Sequence, residues 1–274
     1  MNIRQQLEQL PTVVPGDHET RETLILPSGG RVEVAQRSIC WTGGGAVMVV
    51  RDGTRRQLLV AELVESGLAA LFHGERWIVE AGLEACCGEL DHHNATAVRK
   101  AVEMARPQPL GLDDSFGLGD RLGIAGPAHL RSMHGSGFKV VLAQQSIREL
   151  ERTERTPDEV MDAATWSVLE EGWTEPWGAD ADHLKTPADV ELMAHAGFTM
   201  FTIDPGDHVV DAADEMSISE LEGSAAELPW SDLDDSLPNA LKRYAGIGVH
   251  VSPDLTLEPS EEDVLRAWVK YGGP

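Results

Sequence analysis

The sequence is short of positive charge, of cysteine and of long apolar runs, and each shortage closes off a class of function. Lys and Arg number 22 against 46 Asp and Glu, which gives a formal net charge of −24. Clustered cations neutralise a phosphate backbone or an anionic membrane surface, so neither a nucleic-acid nor a membrane partner is expected. No uninterrupted apolar stretch approaches the ~18 residues that span a bilayer, and the opening MNIRQQLEQL has no apolar signal region. The three cysteines, Cys40, Cys86 and Cys87, make neither a CxxC pair nor an even-numbered framework. Buried reduced thiols in a cytoplasmic protein are therefore expected. GxSxG, HExxH and Walker motifs are also missing. Gly117 and Gly119 begin a dinucleotide fingerprint that fails because Leu122 stands where the last glycine belongs.

What is present is enough for a packed core: 42% hydrophobic and 25% charged residues, the balance of a folded chain. Residues 1–109 read as an N-terminal α/β subdomain. Thr23–Ile25 and Arg31–Val34 flank Pro27-Ser28-Gly29-Gly30 as a hairpin, and Ala46–Val50 is a strand stopped at Asp52-Gly53. A helix is expected over Gln57–Leu71, a strand over Arg76–Val79 and a helix over Asn94–Met104, ending before Pro107-Gln108-Pro109. From 110 to 210 short apolar runs alternate with helical segments, which implies βαβ units and a parallel sheet. Phe138–Ala143, Trp177–Leu184 and Phe198–Ile203 are its strand segments, and Ser146–Thr153, Pro157–Glu170 and Pro187–His195 its helices, the last closed by Gly197. Residues 211–259 are acidic and weakly periodic and read as an excursion or lid. Ser260–Asp263 then opens a helix over 260–274 whose apolar face, Val264, Leu265 and Trp268, needs a covering layer that nothing downstream supplies.

In parallel α/β sheets, functional side chains gather at the carboxyl ends of the strands. Four such ends are Gly119-Asp120-Arg121, Gln144-Gln145-Ser146, Asp180–Lys185 and Asp204–His208. If the sheet curves into a barrel they converge on one mouth, whose carboxylates, imidazoles, amides and cations suit a hydroxyl-rich ligand and a hard or borderline metal ion. Asp182-His183 is the sharpest pair, an imidazole beside a carboxylate at a turning strand end, able to make a metal ligand and a base. The alternative is that Asp182 caps the next helix while His183 packs against it. Asp120 and Arg121 either meet a substrate oxygen or form an internal ion pair. Gln144 either donates to a sugar or caps a helix, Lys185 joins the mouth as a substrate-binding cation, and Asp204 binds substrate or forms a turn. His92 and His93 are adjacent and point apart, which disfavours joint ligation. His129 and His134 fall in a helix after Pro127.

The blocks SFGLGDRLGIAGPAHL (115–130), AQQSIRELERTERTP (143–157), DAATW (162–166), GADADHLK (178–185) and GFTMFTIDPGDHV (197–209) occur in that order. Together they resemble the tagaturonate epimerase family, the tagaturonate/fructuronate or hexuronate 4-epimerases. The resemblance implies an isomerase of hexuronate catabolism that interconverts D-tagaturonate and D-fructuronate with a divalent metal cofactor, on a barrel-like α/β domain. It also implies that Asp182 is the proton acceptor, that His183 is a metal ligand and that Asp120 and Arg121 lie near the sugar-acid substrate. Gly126 and Gly206 depart from the pattern, standing where Ser- or Thr-like residues are expected. The stretch VLRAWVKYG (264–272) resembles an internal helix of the family, so the expectation is an N-terminal portion carrying an incomplete TIM-barrel-like parallel sheet. Two other classes stay open: a non-catalytic sugar-acid-binding remnant, and a metal-dependent aldolase on the same scaffold.

Overall fold

The computed structural model describes residues 2–10 and 20–273. The chain divides into two compact units, Met1–Ile203 and Asp204–Pro274.

The first unit begins with α1 (Ile3–Glu8), capped by Asn2, and then builds an antiparallel sheet from β1 (Arg21–Ile25), β2 (Arg31–Ala35), β3 (Cys40–Trp41), β4 (Gly45–Asp52), β5 (Arg55–Glu62), β6 (Glu75–Glu80) and β7 (Leu83–Gly88). The spatial order is β1-β2-β4-β5-β7-β6, with β3 paired to β4. The Pro27–Gly30 hairpin forms as expected, Leu24 pairing with Val32. The helix expected over Gln57–Leu71 does not. Gly53 and Thr54 turn β4 back into β5, where Asp52 pairs with Arg55, and only Ala69–Leu71 makes a single helical turn. Leu58–Ala61 is a short apolar run in a strand covered on both faces, and such a run has no alternation to separate it from a buried helix. The Asp-Gly signal marked a hairpin as well as a stop. One face of this sheet packs Ile3 and Leu7 of α1 against Leu24, Val34, Met48 and Leu59. The opposite face packs on α2 (His92–Ala101), capped by Asp91. All three cysteines are free thiols, and burial pushes Cys87 up to about 11, far from a reactive thiolate.

The rest of this unit is a four-stranded parallel sheet. Its strands are β8 (Ser115–Gly119), β9 (Lys139–Ser146), β10 (Trp177–Leu184) and β11 (Met200–Ile203), arranged β11-β10-β9-β8. Between them run α3 (Gly126–Met133), α4 (Ile147–Thr153), α5 (Pro157–Glu171) and α6 (Pro187–His195). Capping boxes at Ser146, Thr156 and Thr186 start α4, α5 and α6, and Gly197 leaves α6 at φ +94°. Among the described residues this is an open four-stranded parallel α/β layer, which bears out the parallel sheet expected from the sequence but not a closed barrel. Pro107–Pro109 runs between the two sheets, with Gln108 N donating to Trp177 O at 2.8 Å.

Helix α5 sits between both sheets. Val160, Met161, Ala164 and Val168 face the parallel sheet, whereas Trp166 and Leu169 face the antiparallel one. It also buries three acids. Asp162 meets His92 and Arg99, Glu170 meets Arg51 and Arg56, and Glu171 meets Arg37 and Arg131. α3 crosses α5 at Gly126, where a Cβ would lie 2.2 Å from Ser167 Oγ. A Ser or Thr there would require Ser167 or the helices to shift.

In the second unit, residues 211–259, expected as an acidic excursion or lid, carry regular elements. They hold a helical turn at Asp211–Glu215, α7 (Ile218–Ala226), α8 (Leu237–Tyr244) and a hairpin of β12 (Val249–Ser252) with β13 (Leu255–Leu257). α9 (Glu261–Tyr271) follows, capped by Ser260. Its apolar face is covered from upstream: Leu265 and Val269 pack with Ala213, Leu221 and Ala225, and Trp268 stacks at a tilt on Trp230 at 4.9 Å. No helix among the described residues is long and apolar enough to cross a membrane.

Glu171 tests the cost of the buried acids. Its side chain is 0% exposed. Burial alone would raise its carboxyl, but Arg131 and Arg37 hold it below the ordinary carboxylate value. Glu171→Gln leaves two arginines without their anion and is expected to cost about 3 kcal/mol in urea unfolding at pH 7. A depressed folded-state pKa contributes stability above the unfolded value and loses it as pH falls through the folded one. The gap between variant and parent should therefore narrow in acid; a constant gap from pH 7 to pH 3 would contradict the pairing.

Candidate functional site

Along β10, Trp177, Ala179 and Ala181 pack into the helix-facing core, so Asp180 and Asp182 project from the opposite face. Asp180 is 1% exposed. Its two oxygens accept from neighbours on either side: Gln144 Nε2 of β9 at 3.1 Å and Thr202 Oγ1 of β11 at 2.9 Å. One carboxylate thus ties three adjacent strands near their carboxyl ends. Burial raises the Asp180 carboxyl, the hydrogen bonds from Thr202 and Gln144 pull it back, and Asp182 adds to the rise. The Gln144 amide lies against Gly117 of β8, where a Cβ would come within 2.9 Å of Oε1. The amide therefore spans from β8 to β10 and does not cap α4, a role that Ser146 fills.

The strands break register where they approach this edge. The β9–β10 ladder shifts between Ala179 and Ala181, and the β10–β11 ladder between Ala181 and Leu184. Ala143 and His183 stand at these irregularities with φ +53° each, left-handed backbone that non-glycine residues rarely adopt. At His183 the consequence is chemical. Neighbouring side chains on a regular strand point to opposite faces, but here His183 Nε2 comes to 3.7 Å from Asp182 Oδ2. The Asp182 side chain is 15% exposed and that of His183 55%. A sheltered carboxylate therefore stands beside a solvent-facing imidazole at the strand end, an arrangement able to move a proton or contribute to cation binding.

The other expected residues are placed as follows. Asp120 follows β8, and its carboxylate accepts from the backbone N–H groups of Ile124, Ala125 and Gly126 at 3.0, 2.9 and 2.9 Å. It organises the loop into α3. Arg121 pairs with Glu149 at 2.7 Å, the ion-pair alternative of the sequence reading. Lys185 lies on the turn into α6, its backbone N–H donating to Asp189 Oδ2 at 3.3 Å. Asp204 belongs to the second unit, where its Oδ1 accepts from Gly206 N at 2.8 Å in a local turn. His92 bonds Asp162, and His93 stacks on His73 at 3.4 Å. Thr202 and Glu149 were not singled out from the sequence. Thr202 stands two residues beyond Met200, the ladder partner of Asp180, on the same face of the FTMFTI strand, and Glu149 had only its capping-box spacing.

A divalent cation in an open catalytic site usually takes three protein ligands. Among the described residues no group of three or more His, Cys, Asp or Glu side chains is arranged to hold a metal ion. Asp182 and His183 supply two donors, which is short of a complete set.

The tagaturonate epimerase family model matches residues 36–273. Over 121 residues the chain is 54% identical to the tagaturonate/fructuronate epimerase of Thermotoga maritima, a match covering 44% of this chain and 25% of that protein. Among solved structures, the native fructuronate-tagaturonate epimerase of Cohnella laeviribosi superposes with a TM-score of 0.74 at 32% identity, covering 90% of this chain and 48% of that one. The form of the same enzyme complexed with two glycerols gives 0.73 over 88% and 47%. The chain spans about half the length of these solved relatives.

Asp180 gives this edge a pH signature. A carboxyl raised in the folded state is most stabilising below its unfolded value, and that contribution is lost as pH rises through the folded one. Asp180→Asn mimics the neutral form, so its melting temperature relative to the parent should climb from pH 4 to pH 8. A difference independent of pH would show that Asp180 carries no burial penalty.

Proposed function

The chain belongs to the tagaturonate epimerase family, and on that premise we propose that it contributes the base-bearing portion of an enzyme interconverting D-tagaturonate and D-fructuronate. The observation that carries this reading is the approach of Asp182 to His183 at the end of β10, in a chain whose family acts on hexuronates. The parallel sheet is read as an arc of a barrel-like catalytic domain, the architecture in which strand ends assemble a site.

Inversion occurs at carbon 4 of the 2-ketose. The hydrogen there is not alpha to the ketone, so simple enolisation does not make it acidic. A balanced route is retro-aldol cleavage. Asp182 takes the proton of the carbon 4 hydroxyl, the carbon 3–carbon 4 bond electrons pass toward carbon 2, and carbon 4 becomes an aldehyde. After that aldehyde turns its other face, the bond re-forms and Asp182 returns the proton. Keeping both fragments bound is what separates this outcome from an aldolase. In this scheme Gln144, Asp180 and Thr202 hold the strand of Asp182 in register. His183 is proposed to help hold the divalent cation, whose chemistry would be stabilisation of charge on the carbon 2 oxygen. Asp182 and His183 do not by themselves complete such a site, and no third donor joins them among the described residues.

The test is a chimera. The segment of the Thermotoga maritima relative corresponding to residues 115–203 is replaced with that of this chain, and fructuronate formation from tagaturonate is followed by chromatography. The chimera is expected to turn over. Asp182→Asn within it should lower kcat by about 10²–10⁴ at an unchanged melting temperature. Full activity in that variant would remove Asp182 as the base. The 274-residue chain itself is expected to bind divalent cations only weakly by calorimetry, because it brings two donors.

A further inference from the structure

The strand edge that carries Asp182 also holds an arginine fixed in both backbone and side chain, and the proton transfer at Asp182 leaves it unused. Arg121 follows β8. Arg155 Nη1 donates to the carbonyls of Asp120 and Arg121, each at 3.1 Å, while Asp120 gathers the N–H groups of Ile124, Ala125 and Gly126. The loop is therefore tied through its carbonyls and its amides alike. From it the Arg121 side chain folds back over the strand. A Cβ at Gly119 would lie 4.0 Å from Arg121 Nη2 and 4.0 Å from Gln144 Oε1. Gln144 bonds Asp180, so the guanidinium stands on the face from which Asp180 and Asp182 project.

Glu149 sets that pose. Its side chain is 12% exposed, its Oε2 accepts from Ser146 N at 3.1 Å, and its Oε1 lies 2.7 Å from Arg121 Nε. Ser146 is in turn the ladder partner of Asp182. Because the contact is at Nε, the edge formed by Nη1 and Nη2 is turned away from Glu149. Among the described residues neither of those nitrogens donates a hydrogen bond, and the Arg121 side chain is 55% exposed. Glu149 offsets the charge, so the pair draws no anion from a distance. What it offers is a planar pair of N–H groups that matches the two oxygens of a carboxylate. The span fits as well. β8 and β10 flank β9, two strand spacings or about 10 Å apart. Two hydrogen bonds of about 2.8 Å leave about 4 Å between them, the reach from a carbon 4 oxygen to a carboxylate two carbons away.

We propose that Glu149 is a positioning residue that holds Arg121 as the receptor for the substrate's carboxylate, across β9 from Asp182. The inference rests on the sugar-acid reading above and adds the group that recognises the acid. The test follows the Arg121 Nε–Hε and Gln144 side-chain amide resonances of the full chain by NMR. D-tagaturonate is titrated in, and separately D-tagatose, which has a hydroxymethyl group in place of the carboxylate. Tagaturonate should bind about tenfold more tightly, and Glu149→Ala should bring the two sugars within about twofold. Ser146→Ala removes the hydroxyl that accepts from Glu149 N and so weakens the same helix start. It should lower the melting temperature as Glu149→Ala does, yet keep the preference for the acid. The proposal falls if neither sugar shifts these resonances by about 50 mM, or if tagatose binds as tightly. It falls equally if a folded Glu149→Ala chain keeps the preference, or if Ser146→Ala loses it too. None of these results touches turnover by the chimera or its loss in Asp182→Asn, so the two readings fail separately.

Discussion

The first unit is organised by a helix packed between two sheets. α5 is covered by one sheet on each flank, yet it carries Asp162, Glu170 and Glu171 below 8% exposure. Moving a carboxylate out of water costs several kcal/mol, and only close, well-oriented cations offset that. Each acid therefore draws arginines from elements far away in the chain: Arg37, Arg51 and Arg56 from the antiparallel layer, Arg99 from α2 and Arg131 from α3. The apolar residues of α5 could settle against either sheet in several rotations. The acids permit one, since a turn of the helix by a single residue would strand them from their arginines.

That fixed helix sets the height of the parallel strands, and the strand ends use the rigidity. Asp180 joins β9, β10 and β11 through two hydrogen bonds, at the slip of the β9–β10 ladder and just below that of the β10–β11 ladder. Left-handed backbone at Ala143 and His183 costs of order 1–3 kcal/mol apiece and persists only where the surroundings over-determine it. At His183 the strain brings the imidazole round to the side of Asp182, against strand alternation. Packing by α5, tying by Asp180 and a distorted terminus form one causal sequence, and its product is a carboxylate and an imidazole 3.7 Å apart.

Much of this was legible in the residues. The capping boxes and Gly197 delimit α4, α5 and α6 nearly to the residue, because side-chain capping is local chemistry. The parallel strands were legible from runs of apolar residues ending in polar ones. The segment Gln57–Leu71 was not, since a strand covered on two faces has no period, and its partners lie elsewhere in the sequence. Asp120 stood at a strand end, where a ligand contact is a fair reading, but three backbone N–H groups of the following loop converge on it. Only coordinates reveal which donors a loop turns inward. His92 and His93 do point apart as adjacency predicts, but the Asp162 contact across 70 residues could not be read from spacing.

A further constraint comes from charge. The proposed base is a carboxylate and the proposed substrate another, in a chain whose formal charge is −24. Two like charges 4 Å apart repel by about 4 kcal/mol near a protein surface, against about 1 kcal/mol in bulk water. The sugar acid must then lie with its carboxyl end away from Asp182, which places carbon 4 rather than carbon 6 against the base. Arg121 does not draw that carboxylate in freely, because Glu149 already holds it at 2.7 Å. Orientation by repulsion at one end needs no specific pocket for each hydroxyl. It suits the proposed route, in which carbon 4 is released long enough to present its other face.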